Sequence, residues 1–192
     1  MAKPNTKAKS SHPAWAAGKA QLGLVHLYTG DGKGKTTSAL GLILRASGQG
    51  LRCCLVQFMK GKYPYGEIKA LKKLKTVTVK QFGTLDFVHK GKQQAVDIQE
   101  ARKALAFVST ALSSGRYDLV ILDEVCVAEY MGLISLDEIV QAVKNRAPGV
   151  EAVLTGRKAH KKLLALADYI TRFEKVAHPY DKGTLARKGI EF

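Results

Sequence analysis

The sequence predicts an α/β fold, a mainly parallel β-sheet with helices on both faces. Three observations lead there. Short apolar runs alternate with stretches of helical periodicity along most of the 192 residues, the pattern of repeated strand-helix-strand units. YTGDGKGKTTS, at residues 28–38, sets a glycine-rich turn between a strand and a helix. DLVILDE, at residues 118–124, is an apolar run tipped by two carboxylates, as a buried strand carries them at the end where such sheets bind ligands.

Taken in order, residues 24–28 form a short buried strand, and residues 35–47 a helix ended by Gly48, glycine being the residue that closes helices at least cost. Residues 52–58, within LRCCLVQF, make the second strand. MKGKYPYGE then breaks the pattern with Gly61, Pro64 and Gly66. A short helix begins at Glu67, a strand covers 77–81, and 95–113 is the longest helical pattern. After DLVILDE, residues 136–145 are helical, 151–155 a strand, 160–167 a helix and 169–175 a last strand. No repeat or second composition regime interrupts this alternation, so residues 22–192 are expected to be one domain. Residues 1–21, rich in Lys, Ser, Ala and Pro, read as a flexible basic arm.

No apolar run reaches the length of a membrane span and the N-terminus lacks a secretory stretch, so a cytoplasmic protein is expected. A formal net charge of +15 permits an anionic partner: a polyphosphate, an acidic protein or nucleic acid. The three cysteines, Cys53, Cys54 and Cys126, form no C-x-x-C, and the five histidines are scattered. They read as small core residues rather than a metal or redox site.

The pattern G-x-x-x-x-G-K-[ST] is met at Gly34, Lys35 and Thr36, with Thr29 where its first glycine stands. Gly30, Gly32 and Gly34 let the backbone curl so that successive N–H groups point at phosphate oxygens, with the helix N-terminus behind them. The expected ATP-binding stretch is Thr29, Gly30, Asp31, Gly32, Lys33, Gly34, Lys35, Thr36 and Thr37. Lys35 adds a mobile positive charge and Thr36 a hydroxyl for Mg²⁺ or Mn²⁺. Asp123 and Glu124 are either a helix-capping pair or, as their apolar approach favours, groups for the metal, Glu124 directly and Asp123 through water. The fold implied is a P-loop, RecA-like nucleotide-binding domain. A kinase or hydrolase would cleave at the γ-phosphate. A nucleic-acid-binding ATPase would use the charge directly, but no aromatic-basic platform of single-strand binders is seen.

YTGDGKGKTTSALG from Tyr28, VQFMKGKYPYGE from Val56, VILDEV from Val120, LTGRKAH from Leu154, LADYIT from Leu166 and HPYDKGTLARKGIEF from His178 together resemble the P-loop-type ATP:corrinoid adenosyltransferases of cobalamin synthesis and salvage. That family's loop is similar in carrying threonine at the first position. The resemblance implies transfer of the 5′-deoxyadenosyl group of ATP to the cobalt of a reduced corrinoid, with release of tripolyphosphate and with ATP reversed in the loop relative to ordinary NTPases. Lys35, Thr36 and Glu124 are then the catalytic group. Arg157 joins the ATP site in place of a surface salt bridge. His178 and Asp181 shape the pocket or serve structure alone.

On the corrinoid side, some family members carry a phenylalanine-threonine-tryptophan stretch. The corresponding QFGTLDFVHKG has no tryptophan. Phe82 and Phe87, with Val88 behind, are the candidates for displacing the lower axial ligand, with core packing as their alternative. Lys60 and Lys62 either guide the corrinoid or solvate their loop. The resemblance further implies a homodimer, whose arm, with Trp15, either covers the partner's site or is an inert tail. It also implies an acidic flavodoxin-like electron donor, for which Lys69, Lys72, Lys73 and Lys75 offer a basic surface.

Overall fold

The strands are β1 (Val25–Thr29), β2 (Cys53–Gln57), β3 (Val77–Gln81), β4 (Leu119–Asp123), β5 (Glu151–Thr155) and β6 (Tyr169–Arg172). The helices are α1 (Lys35–Gly48), α2 (Gly66–Leu71), α3 (Ala95–Ser113), α4 (Val125–Tyr130), α5 (Leu136–Lys144) and α6 (Lys161–Leu166), and a 3₁₀ turn spans Pro179–Lys182. These come from a computed structural model that describes residues 22–61 and 65–192. The expected basic arm with its Trp15, and the expected corrinoid contact of Lys62, lie outside the described residues.

All six strands are parallel in one sheet, in the order β3-β2-β4-β5-β1-β6. The order reverses beside β1, and the crevice at such a switch is where these sheets bind ligands. Strand alternation sorts the side chains into two cores. Leu55, Ile121 and Val153 face α1 and α2, meeting Ala39, Ile43 and Ile68. Val56, Leu122 and Leu154, with Leu27, face the other side, meeting Val108 and Leu112 of α3 and Ile139 of α5. Register brings the layers together: Leu55 lies beside Ile121, which lies beside Val153. Burial of each such side chain contributes about 2 kcal/mol, and β2 and β4, interior to the sheet, are buried at every position.

Some boundaries differ from the sequence reading. The first helix runs through Gly48, and it is Gly50, at φ 78°, that takes the left-handed conformation. The last strand stops at Arg172 rather than at 175, and all of β6 is exposed, because it is an edge strand with β1 as its neighbour. Beyond it Phe173 turns back: its N–H donates to the Thr29 carbonyl and its carbonyl accepts from Gly32 N–H, both at 2.8 Å. Helix α4 (VCVAEY) is not expected from the sequence, since it is one short apolar stretch following the carboxylate pair, without a helical repeat long enough to show periodicity. No helix among the described residues is long and apolar enough to cross a membrane. The three cysteines are buried and free, as expected of core residues.

Candidate active site

Helix α1 opens on Gly34, whose φ of 120° needs glycine, and no side chain caps the helix N-terminus. The first-turn amides are therefore left for an anion. The other loop glycines answer to packing as well. A Cβ on Gly30 would lie 2.4 Å from the Phe173 carbonyl oxygen, and one on Gly32 would lie 2.6 Å from that of Glu174. Since Gly32 N–H is bonded to Phe173, the loop amides do not all face the cleft as a simple phosphate cradle would have them. Lys35 is buried and folds back, its Nζ donating to the carbonyls of Gly30 at 2.8 Å and Gly32 at 2.6 Å. Burial lowers its pKa, against the pull of the Glu124 carboxylate.

Asp123, fully buried at the end of β4, is the hub of the site. Its Oδ1 accepts from Thr36 Oγ1 at 2.8 Å and Thr155 Oγ1 at 2.7 Å, and its Oδ2 from Lys60 Nζ at 2.8 Å and Gln57 Nε2 at 3.1 Å. Burial alone would raise its pKa, but the Lys60 ammonium and the hydroxyl hydrogen bonds hold the carboxyl below its ordinary value. Glu124 stands beside it at φ 64°, its N–H donating to Thr155 Oγ1 at 2.9 Å. Burial, and then the Asp123 charge, push its carboxyl up. Met59 at φ 53° and Lys158 at φ 59° share this left-handed backbone. All three follow the C-terminal ends of strands, and strain of this kind, about 1–3 kcal/mol each, clusters at functional sites.

These groups open on a cleft of about 570 Å³, within the range of small-ligand pockets, roughly 300–1,000 Å³. Gly32, Lys33, Gly34, Lys35, Thr36 and Thr37 line it, with Glu124 and Arg157 from the ends of β4 and β5 and Lys60 from the end of β2. His178 lines it too, while Asp181 pairs outside with Lys175 at 2.8 Å. Thr29 is buried beneath the loop and Asp31 is exposed beyond the lining. Phe82 is half-buried against the core, 6.2 Å from the Phe107 ring, and Phe87 is 92% exposed. Neither reaches the cleft. The sequence reading missed Leu40, Tyr65 and Glu67, and the C-terminal residues Gly189, Ile190, Glu191 and Phe192, all of which line it. Leu40 lies in the stretch from Tyr28, Tyr65 and Glu67 in YPYGE and the last four in the closing GIEF, all within stretches that carry the resemblance.

The donor set fits a magnesium ion. Thr36 and Glu124 line the cleft, and both Asp123 oxygens are already engaged by hydrogen bonds. Among the described residues no cluster of three or more His, Cys, Asp or Glu forms a metal cage. Mg²⁺ characteristically takes only one or two protein ligands and completes its shell with phosphate oxygens and water.

A sequence profile of the family described as ATP:corrinoid adenosyltransferase BtuR/CobO/CobP matches residues 21–192. A corrinoid adenosyltransferase of Sinorhizobium sp is 36% identical over 175 residues, 90% of this chain and 81% of that protein. One from Escherichia coli K12 is 33% identical over 90% of this chain and 87% of its own length. The corrinoid adenosyltransferase CobA of Salmonella typhimurium is 30% identical over 92% and 89%. A P-loop whose first glycine is a threonine, a carboxylate pair at the end of β4 and a match spanning the whole sheet agree: the chain belongs to the ATP:corrinoid adenosyltransferase family.

Proposed function

We propose that the protein transfers the 5′-deoxyadenosyl group of ATP to the Co(I) centre of a reduced corrinoid and releases tripolyphosphate, in the synthesis or salvage of adenosylcobalamin. The names borne by its relatives support the reading, and one observation of the site carries it. The cleft holds cations, a hydroxyl and a carboxylate for a polyphosphate but no thiol nucleophile. Cys53, Cys54 and Cys126 are buried, and burial pushes their pKa values up to about 11, 12 and 12. The nucleophile then comes with the second substrate.

Co(I) is such a nucleophile and bears no proton, so no general base is needed. Its electron pair forms the cobalt–carbon bond to C5′ as the C5′–oxygen bond breaks. Cobalt goes from Co(I) to Co(III), and the pair of the broken bond leaves on tripolyphosphate. The growing charge on that oxygen is met by Lys35, by Arg157 and by the open N-terminus of α1. Mg²⁺, held by Thr36 and Glu124 with Asp123 behind them, would neutralise phosphate charge. Holding C5′ over cobalt supplies much of the remaining acceleration.

The same reading assigns Phe82 and Phe87 to the lower face of the corrinoid and Lys62 to guiding it in, whereas Lys60, paired with the buried Asp123 in the cleft, serves the nucleotide side instead. It takes the protein as a cytoplasmic homodimer that receives its electron from an acidic, flavodoxin-like donor. The test is anaerobic: protein, ATP, Mg²⁺ and chemically generated cob(I)alamin, followed by the corrinoid spectrum and by assay of tripolyphosphate. Adenosylcobalamin with stoichiometric tripolyphosphate, lost in Lys35→Ala, is the expected result. Orthophosphate without alkylation would refute the proposal.

A further inference from the structure

We infer that Glu191 is a positioning residue for the nucleotide: by clasping Lys33 of the phosphate loop it fixes the C-terminal segment as a wall of the ATP cleft. The inference rests on the proposed ATP-dependent reaction.

Glu191 Oε1 accepts from Lys33 Nζ at 2.8 Å, across 158 residues of sequence. Its other contacts fold the tail on itself: Arg187 N–H and Nε donate to Oε2 at 2.7 and 3.2 Å, and Arg187 Nη2 to Oε1 at 3.1 Å. The Gly189 N–H donates to the Phe192 carbonyl at 2.7 Å. One carboxylate thus joins the closing turn to the loop that holds the phosphates. These bonds depress the Glu191 carboxyl to about 2, so the clasp is ionised throughout the physiological range. The consequence is visible in the cleft, whose lining includes Gly189, Ile190, Glu191 and Phe192 together with Lys60 and Tyr65.

Two roles fit such a tail: a wall that helps to bind the nucleotide, or a plug that a nucleotide must displace. Volume decides between them. With the tail in place the cleft still measures about 570 Å³, room enough for a nucleotide-sized ligand. The clasp also takes up the charge of Lys33, leaving Lys35 as the cation buried within the loop, and it restrains the loop backbone between Gly32 and Gly34. Binding then costs less ordering of that backbone, the general advantage of a preorganised site.

The test measures ATP–Mg²⁺ binding to the full-length chain by titration calorimetry, alongside steady-state kinetics, for Glu191→Gln, Lys33→Ala and the double variant. The expected outcome is a Kd for ATP about tenfold weaker in each variant, and no weaker in the double variant than in either single one, because both substitutions break the same clasp. KM for ATP should follow Kd, while kcat at saturating ATP and KM for the corrinoid change less than twofold. Deletion of residues 189–192, with melting temperature measured in parallel, should weaken ATP at least as much. Unchanged or tighter ATP binding in Glu191→Gln, or additive losses in the double variant, would overturn the inference. If the unaltered chain binds no ATP, the nucleotide-dependent reaction itself fails and takes the inference with it.

Discussion

The ammonium of Lys60 lies 2.8 Å from the carboxylate of Asp123, although 63 residues separate them in sequence. Asp123 is fully buried and the Lys60 side chain is 17% exposed, so this is an interior ion pair whose removal strands a charge. Breaking such a pair from one side costs about 3–5 kcal/mol. Lys60→Met should therefore lower the melting temperature by about 10 °C. It should also weaken ATP binding, since Thr36 is held by the same carboxylate. Lys60→Met paired with Asp123→Asn should recover part of the stability, and a double-mutant cycle by thermal melting checks it.

Gly32 and Gly41 separate packing from backbone entropy. A methyl group on Gly32 meets the Glu174 carbonyl oxygen at 2.6 Å, while on Gly41, within α1, it meets nothing within 4 Å. Gly32→Ala should cost about 1–3 kcal/mol and impair nucleotide binding, because the loop must move away from residues 173–174. Gly41→Ala should stabilise the protein by about 0.5–1 kcal/mol without changing KM. Denaturant titration and ATP kinetics on both variants check the contrast.

Glu124 gives the reaction an acid limb. Its carboxyl is raised above the ordinary 4.5 by burial and by the Asp123 charge. Protonation in the empty site is thus easier than for an exposed glutamate, and the stability that the protonated form contributes is lost as pH rises through the raised value. On the proposed role of Glu124 as a metal ligand the ionised form is the competent one, so kcat/KM for ATP should fall on acidification at a pH above the ordinary glutamate value. Glu124→Gln should remove that limb and reduce kcat/KM about a hundredfold, as pH-rate profiles at fixed Mg²⁺ will show.

The three thiols should be inert in the native state. Their pKa values, raised from 9.0 to about 11 or 12 by burial, leave almost no thiolate at neutral pH, and thiolate is the reactive form. A thiol reagent at pH 8 should label Cys53, Cys54 and Cys126 only after denaturation. Because the unfolded thiols ionise first, the stability these groups contribute is complete below about pH 9 and declines toward pH 12. Equilibrium unfolding across that range checks the sign.

Lys69, Lys72, Lys73 and Lys75 are all exposed on α2 and the turn before β3. If they dock an acidic electron donor, replacing the four with Glu should slow donor-coupled turnover at least tenfold, most strongly at low salt. Turnover with chemically generated Co(I) should be unaffected. Equal loss in both assays would place these residues in the transferase site instead.

How far the sequence reaches can be seen residue by residue. The β4 run LVILD and the loop GDGKGKT were legible because burial on both faces removes polar residues from a central strand, and because the phosphate loop is a local conformation that demands glycine and lysine at fixed spacing. Helix α4 was hidden, since it is one short apolar stretch after the carboxylate pair, too short for a helical repeat to show. Thr155, Gln57 and Lys60 sit in stretches that carry the resemblance, but nothing in those stretches says that all three side chains reach one carboxylate. They meet at Asp123 because β2, β4 and β5 are neighbours whose ends the parallel register brings together. The clasp of Glu191 on Lys33 is of the same kind. By itself the sequence determined the strand-helix alternation, the nucleotide loop and its carboxylates, because local propensity and burial are written in short stretches. Which distant side chains complete the site, and that the C-terminus walls it, was decided by the tertiary structure alone, since only chain crossing in the folded sheet sets such distances.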